Sequence, residues 1–267
     1  LADPGYSRWT PESRHQQVKA IEEACLVQGG DRVLSVTARS YDSFQESVNM
    51  TSNGFEGHSE GTVYYAGAQM TARDEGDRRP AGGDGAVAVA LSGLPKPQEL
   101  GAGAAQRTLT LLGARKIKTE TLPIIVENRN VARLLGGVLA AMTGASVQQK
   151  RSFLADKKGQ QIGSGKLTLI DDPLVPGGLG SRLFDGDGIA ARKLVMIEAG
   201  ILQDYFIDWY YSRKLSVNPT TGGPSNLIIP PGQRAVKEIM KDLGRGIFVT
   251  GFIGGNSNST TGDASIG

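Results

Sequence analysis

Apolar positions divide the chain into its first elements. From Pro11, the residues Val18, Ile21, Ala24 and Cys25 recur near one face until Gly29 and Gly30, which predicts an amphipathic helix opened by proline and closed by glycine. DRVLSVTARSY and SFQESVNMTSNGFEGHSEGTVYYAGAQMTARDE then alternate extended runs with Ser-Asn-Gly and Ser-Glu-Gly breaks. This pattern predicts an antiparallel meander, with His58 in a turn between Gly57 and Ser59. The charged, glycine-rich GDRRPAGGDG at 76–85 reads as an exposed loop, and AVAVALSG as the strand after it. Pro95 and Pro97 form a linker, so an N-terminal α+β domain is expected at 1–93 and a C-terminal α+β domain at 94–267.

Past the linker, PQELGAGAAQRTLTLLGARK predicts a helix ending near Gly113, and TLPIIVE a short buried strand. Val131, Leu134, Leu135, Val138, Leu139 and Met142 form a broad apolar arc in NRNVARLLGGVLAAMTGA, so a second core helix is expected there, with no special role for Gly136 and Gly137. KLTLIDD predicts a strand entering the turn-rich PLVPGGLGSRLFDGDG. ARKLVMIEAGILQDYFIDWYYSRKL predicts a strand, a glycine turn and a strand that runs into a tyrosine-rich helix. A short strand in PTTGGPSNLIIPPG, a helix in RAVKEIMKDLGRG and a final strand in IFVTGFIGG complete the pattern. Unlike elements alternate here without regular βα repeats and without GxGxxG between strand and helix. The expected fold is therefore α+β, with largely antiparallel or mixed sheets and packed helices.

Composition narrows the function classes. The 267 residues include 39% hydrophobic and 21% charged positions, the balance of a globular protein with a core of its own. The 37 glycines follow no collagen period and fit turns and close backbone approaches. With 29 Lys and Arg against 27 Asp and Glu, the formal charge of +2 gives no electrostatic drive toward nucleic acid or an anionic membrane. Cys25 is the single cysteine, which excludes an internal disulfide and fits a reducing, cytoplasmic setting. No apolar run approaches the ~20 residues of a spanning helix. The chain opens at Leu1 without Met and stops after a turn-like TTGD, so both ends are expected to be cut from something longer.

Candidate chemistry is sparse. His15 and His58 are far apart and have no partner at the HExxH spacing that would hold zinc. Asp171, Asp172, Asp185 and Asp187 supply oxygen ligands or an acid–base pair if their glycine loop folds back, but the same residues suit strand ends and solvated turns. Cys25 lies on the core-leaning side of its helix, and no GxSxG elbow is present. Arg192, Lys193, Arg213 and Lys214 bracket YFIDWYY. Two readings stand side by side: a basic aromatic groove for peptide, or a core built on Tyr205, Trp209 and Tyr210 with solvated cations around it. TTGGPSN at 220–226 and TTGD at 260–263 expose backbone donors, or simply turn.

Several unusual runs occur together and in order: GARKIKTETLPIIVENRNVARLLGGVLAAMTGASVQQKRSFL, IDDPLVPGGLGSRLFDGDGI, GILQDYFIDWYYSRKL, TGGPSNLIIPPG and GIFVTGFIGGNSNSTTGDASIG. In them the chain resembles the TldD/PmbA family (peptidase U62-like), in particular its PmbA or TldE branch, over nearly its whole length. The family is associated with proteolysis, microcin maturation and antitoxin degradation, and carries the older label of modulator of DNA gyrase. The resemblance implies a two-domain architecture. It also implies that in a TldD-like subunit an HExxxH helix and a later cysteine hold the catalytic metal. The corresponding stretches here, NRNVARLLGGVLAAM and GFIGGNSNS, have neither histidine nor cysteine. The resemblance therefore implies a metal-free TldE/PmbA-like subunit with no catalytic residue of its own, partnered by a TldD-like metalloprotease that alone carries zinc and acts on unfolded peptides. For the isolated chain a homodimer stands as the alternative to the heterodimer, and contact with nucleic acid or membrane is not expected. Under this reading Arg192, Tyr205, Trp209, Tyr210 and Arg213 face peptide or partner, and Gly222, Gly223, Asn226, Asn256, Thr261 and Asp263 shape loops. The alternatives are a hydrolase using the four aspartates and a regulatory protein-binding module associated with DNA gyrase.

Overall fold

The computed structural model describes residues 2–267, which form two compact units: the residues up to Ile117 with Pro176–Ser181, and Lys118–Val175 with Arg182–Gly267. In the first unit, helix α1 (Pro11–Gly29) begins where Thr10 Oγ1 accepts the Ser13 backbone N–H at 3.2 Å, and it buries Ile21 and Cys25. A three-stranded antiparallel sheet follows: β1 (Val33–Met50), β2 (Glu56–Ala72) and β3 (Ala81–Ala88), in that order. Helix α2 (Pro97–Leu109) packs across α1 so closely that a β-carbon at Gly101 would stand 2.2 Å from the Ile21 carbonyl oxygen. Ile21, Cys25, Ala66, Met70, Leu100, Ala104 and Ala105 form the core between these helices and the sheet.

Three expectations change in this unit. Ser59-Glu60-Gly61 does not break the sheet but lies inside β2, and the hairpin turns only at the Ser-Asn-Gly site between Met50 and Glu56. His58 is accordingly a strand residue opposite Val48 rather than a turn residue. AGGDG at 81–85 belongs to β3, because backbone ladder bonds need no side chain and the run pairs with β2 from Thr71↔Ala81 to Gly67↔Gly85. The domain division also moves. The helix after the proline linker packs on α1, so the compact units part at Ile117/Lys118 and not at 93/94.

The second unit begins with β4 (Ile124–Val126), α3 (Asn128–Ala141) and the short α4 (Gly144–Gln148). Then come β5 (Leu169–Asp171), β6 (Leu194–Glu198), β7 (Ile201–Leu202), α5 (Trp209–Leu215) and β8 (Leu227–Ile228), followed by α6 (Val236–Leu243), β9 (Ile247–Val249), β10 (Gly255–Ser257) and β11 (Ala264–Ile266). An antiparallel sheet of order β7-β6-β5-β8 carries the core, β4 pairs in parallel with β9, and β10 and β11 form a separate hairpin. Met142, Leu154, Leu169, Met196, Ile197, Leu202 and Phe206 are buried, and Leu135, Val138 and Leu139 of α3 pack against them. The arc foreseen on α3 is thus half-buried, with only Ala141 of the helix fully covered. The α+β class with antiparallel sheets is the one the pattern predicts. No helix among the described residues is long and apolar enough to cross a membrane.

Candidate functional site

A cleft of about 90 Å³ lies between α3 and the β10–β11 hairpin. Arg133, Leu134, Gly137 and Val138 share one face of α3, because residues three and four apart stack on a helix. Gly137 sets the depth of the cleft, since a β-carbon there would come within 2.8 Å of Ser257 Cβ. Opposite stand Asn256, Ser257, Asn258, Asp263 and Ile266, with Phe153 closing one side. The hairpin turn holds itself together. Asn258 Oδ1 accepts the Thr260 N–H at 2.9 Å, the Asn258 N–H donates to the Asp263 carbonyl at 2.8 Å, and Thr261 Oγ1 donates to Asp263 Oδ2 at 2.7 Å. Thr261 and Asp263 therefore fix the turn, while Asn256 lies exposed on β10 along the cleft.

These side chains do not suit zinc. The cleft presents a guanidinium, neutral amides and one carboxylate bonded to Thr261, with no imidazole or thiolate, whereas zinc sites draw on His, Cys and freely placed carboxylates. Both histidines lie in the other unit, on α1 and β2. Cys25 is fully buried, and burial pushes its thiol up, away from the reactive thiolate.

The aromatic segment around α5 splits in two. Tyr205 is 7% exposed, and its hydroxyl donates to the Leu154 carbonyl at 2.6 Å and accepts the Lys157 N–H, so it is a core residue and not the peptide-facing one expected. Burial raises its pKa, as for a phenol held away from water. Trp209 and Tyr210 are exposed, with the Arg213 guanidinium 4.5 Å from the Trp209 ring centre and Lys214 4.7 Å from that of Tyr210. Asp208 caps this helix by accepting the Tyr211 N–H at 2.7 Å. Arg192 reaches back to the Pro219 carbonyl at 3.4 Å.

The four aspartates turn out to be clamps. Asp185 is 8% exposed; its Oδ1 accepts the Asp187 and Ile189 N–H groups, both at 3.0 Å, and its Oδ2 accepts that of Gly222 at 3.2 Å. Asp187 accepts the Trp209 N–H, Asp172 accepts that of Leu174, and Asp171 Oδ1 accepts both the N–H and the hydroxyl of Ser225. Arg182 donates to Thr221 Oγ1 and to the carbonyls of Gly223 and Pro224, and Asn226 Nδ2 donates to the Asp172 carbonyl. TTGGPSN is thereby stitched to the strand end at Asp171 and to the DGDG turn. No trio drawn from these carboxylates comes within ligand distance of a common ion.

Sequence spacing missed one constellation. Glu46 is paired with Glu60 across the β1–β2 hairpin, and His58 Nε2 lies 2.9 Å from Glu46 Oε1 and 4.0 Å from Glu60 Oε1. It is the only trio of His, Cys, Asp or Glu among the described residues whose ligand atoms cluster within 4.8 Å, and all three are exposed. The i,i+2 spacing of His58 and Glu60 becomes visible as a shared face only once a strand is assigned there.

Known proteins share this fold. The chain matches the profile of the PmbA/TldA metallopeptidase central domain over residues 7–112 and that of the C-terminal domain over residues 119–267. It is 30% identical over 263 residues to metalloprotease PmbA of Escherichia coli O157:H7, an alignment that covers 97% of this chain and 58% of that protein. Among solved structures, a Bacteroides thetaiotaomicron protein described as a modulator of DNA gyrase superposes with TM-score 0.95 and 35% identity, over 100% of this chain and 60% of its own. TldE of Thermococcus kodakarensis shares the fold, with TM-score 0.83 and 24% identity over 96% of this chain and 61% of that one. The chain thus spans about three fifths of the relatives it matches. With both profiles, a PmbA relative at this identity and these superpositions in agreement, the chain belongs to the PmbA/TldA metallopeptidase family.

Proposed function

We propose that this chain is a metal-free, TldE/PmbA-like subunit that supports a TldD-like metalloprotease acting on unfolded peptides. The observation that carries this reading is the cleft between α3 and the β10–β11 hairpin. The family resemblance assigns the metal-binding helix and cysteine of a TldD-like subunit to these two segments, and here they contribute Arg133, Gly137, Asn256 and Asp263. Such a set can bind and orient a peptide but cannot polarise water as a zinc ion does. The exposed Trp209, Tyr210 and Arg213, with Arg192, offer the partner or peptide surface on the same unit. The cytoplasm is the setting proposed for the complex.

Mixing experiments test the reading. The purified chain alone is expected to leave an unfolded casein substrate intact. Addition of a TldD-like subunit is expected to give a stable complex and cleavage that a chelator stops. Failure of the two proteins to co-elute in gel filtration would count against the subunit assignment.

A further inference from the structure

The cleft between α3 and the β10–β11 hairpin holds a cation that no ion pair answers. The carboxylate of the same cleft, Asp263, accepts the Thr261 hydroxyl, and Asn258 bonds the turn backbone. Arg133 lines the same cleft, and no carboxylate of the described residues stands within ion-pairing distance of it. Its neighbours along α3 are Leu134, Gly137 and Val138, and the facing hairpin adds the polar Asn256, Ser257, Asn258 and Asp263. A volume of about 90 Å³ is far below that of a drug-sized site and suits a carboxylate with one or two attached carbons. Guanidinium matches carboxylate because its planar fork can donate two parallel N–H bonds to the two oxygens.

From these features we infer that the cleft binds a peptide carboxylate, with Arg133 as its specificity-determining residue and Leu134, Val138 and Phe153 covering the carbons beside it. This inference rests on the proposed peptide-handling role and names the chemistry that role selects. Gly137 is part of the device. Without a side chain there, the hairpin comes near enough for Ser257 to stand against α3 on the wall of the cleft. The carboxylate has two sources, a free C-terminus or an aspartate side chain, and both present the same two oxygens.

Fluorescence polarisation separates them. The probe is an N-terminally fluorescein-labelled octapeptide of glycine, serine and alanine with one internal aspartate. It is compared with the C-terminally amidated form and with the aspartate-to-asparagine form, at fixed low salt. Arg133→Gln is expected to weaken binding of the parent probe by about tenfold or more, the scale of a charged hydrogen-bonded contact, with an unchanged circular dichroism spectrum. Arg133→Lys is expected to recover part of the loss. A drop on amidation assigns the site to C-termini, and a drop on aspartate neutralisation assigns it to side chains. Equal binding of all three probes, or indifference to Arg133→Gln, overturns the inference. Gel filtration of the Arg133→Gln chain with a TldD-like subunit reads the subunit role separately, since the complex is expected to survive this substitution.

Discussion

Asp185 shows how a single residue can look catalytic in a sequence and be architectural in the fold. Its carboxylate collects three backbone N–H groups from two loops, which is the work of a nucleated turn rather than of a proton shuttle. Asp185→Ala is therefore expected to destabilise the protein by about 1–3 kcal/mol in urea unfolding, because three part-buried donors lose their acceptor. A loss near zero would show that water replaces the carboxylate without cost. Tyr64 supplies a second test at this scale. The residue is 1% exposed and its hydroxyl has no hydrogen-bond partner within reach; burial, reinforced by the carboxylates of Asp3 and Asp42, pushes its pKa up to about 12. The folded state thus favours the neutral phenol. That contribution is complete below the unfolded value near 10 and is lost as pH climbs through 12. Between pH 10 and 12 the wild type is expected to lose about 2 kcal/mol more than Tyr64→Phe; parallel stability curves would contradict the assignment.

At the scale of elements, the α1–α2 contact depends on a glycine that helix propensity alone would disfavour. A methyl group at Gly101 would run into the Ile21 carbonyl and the Ala24 side chain, so Gly101→Ala is expected to cost about 1–3 kcal/mol despite alanine's better helix propensity. Hydrogen exchange should then show faster opening of α1 and α2; a stabilised protein would refute the close packing. Helices and short apolar strands were legible in the sequence because their signals are local. Pro11, the closing Gly29 and Gly30 and the apolar spacing suffice for α1, and TLPIIVE for β4. What was not legible depends on pairing. AGGDG looks like a loop until Gly67–Thr71 of β2 is opposite it, and His58 looks like a turn residue until β1 supplies its register. The candidate site was half legible for the same reason. Trp209, Tyr210 and Arg213 fall in the tyrosine-rich helix the sequence predicts, where core and groove readings both stood open, while Tyr205, four residues earlier, is drawn inward by the Leu154 carbonyl. Arg133 carried no signal at all, since its role arises only from a hairpin more than 100 residues downstream.

For the whole molecule, the two units correspond closely to the two family profiles, which meet between residues 112 and 119 where the compact units part at 117/118. The proline linker at 95 and 97 misled because Lys96 and Pro97 start a helix of the first unit instead of ending that unit. The second unit holds the cleft that, in the proposed role, takes peptide and not zinc. The most direct test is zinc stoichiometry by plasma mass spectrometry, after equilibrium dialysis of the chain against micromolar zinc. It should be run with His58→Ala so that the exposed Glu46–His58–Glu60 trio does not contribute. Far less than one zinc per His58→Ala chain is expected. One zinc per chain, lost on Asp263→Ala, would contradict the metal-free role.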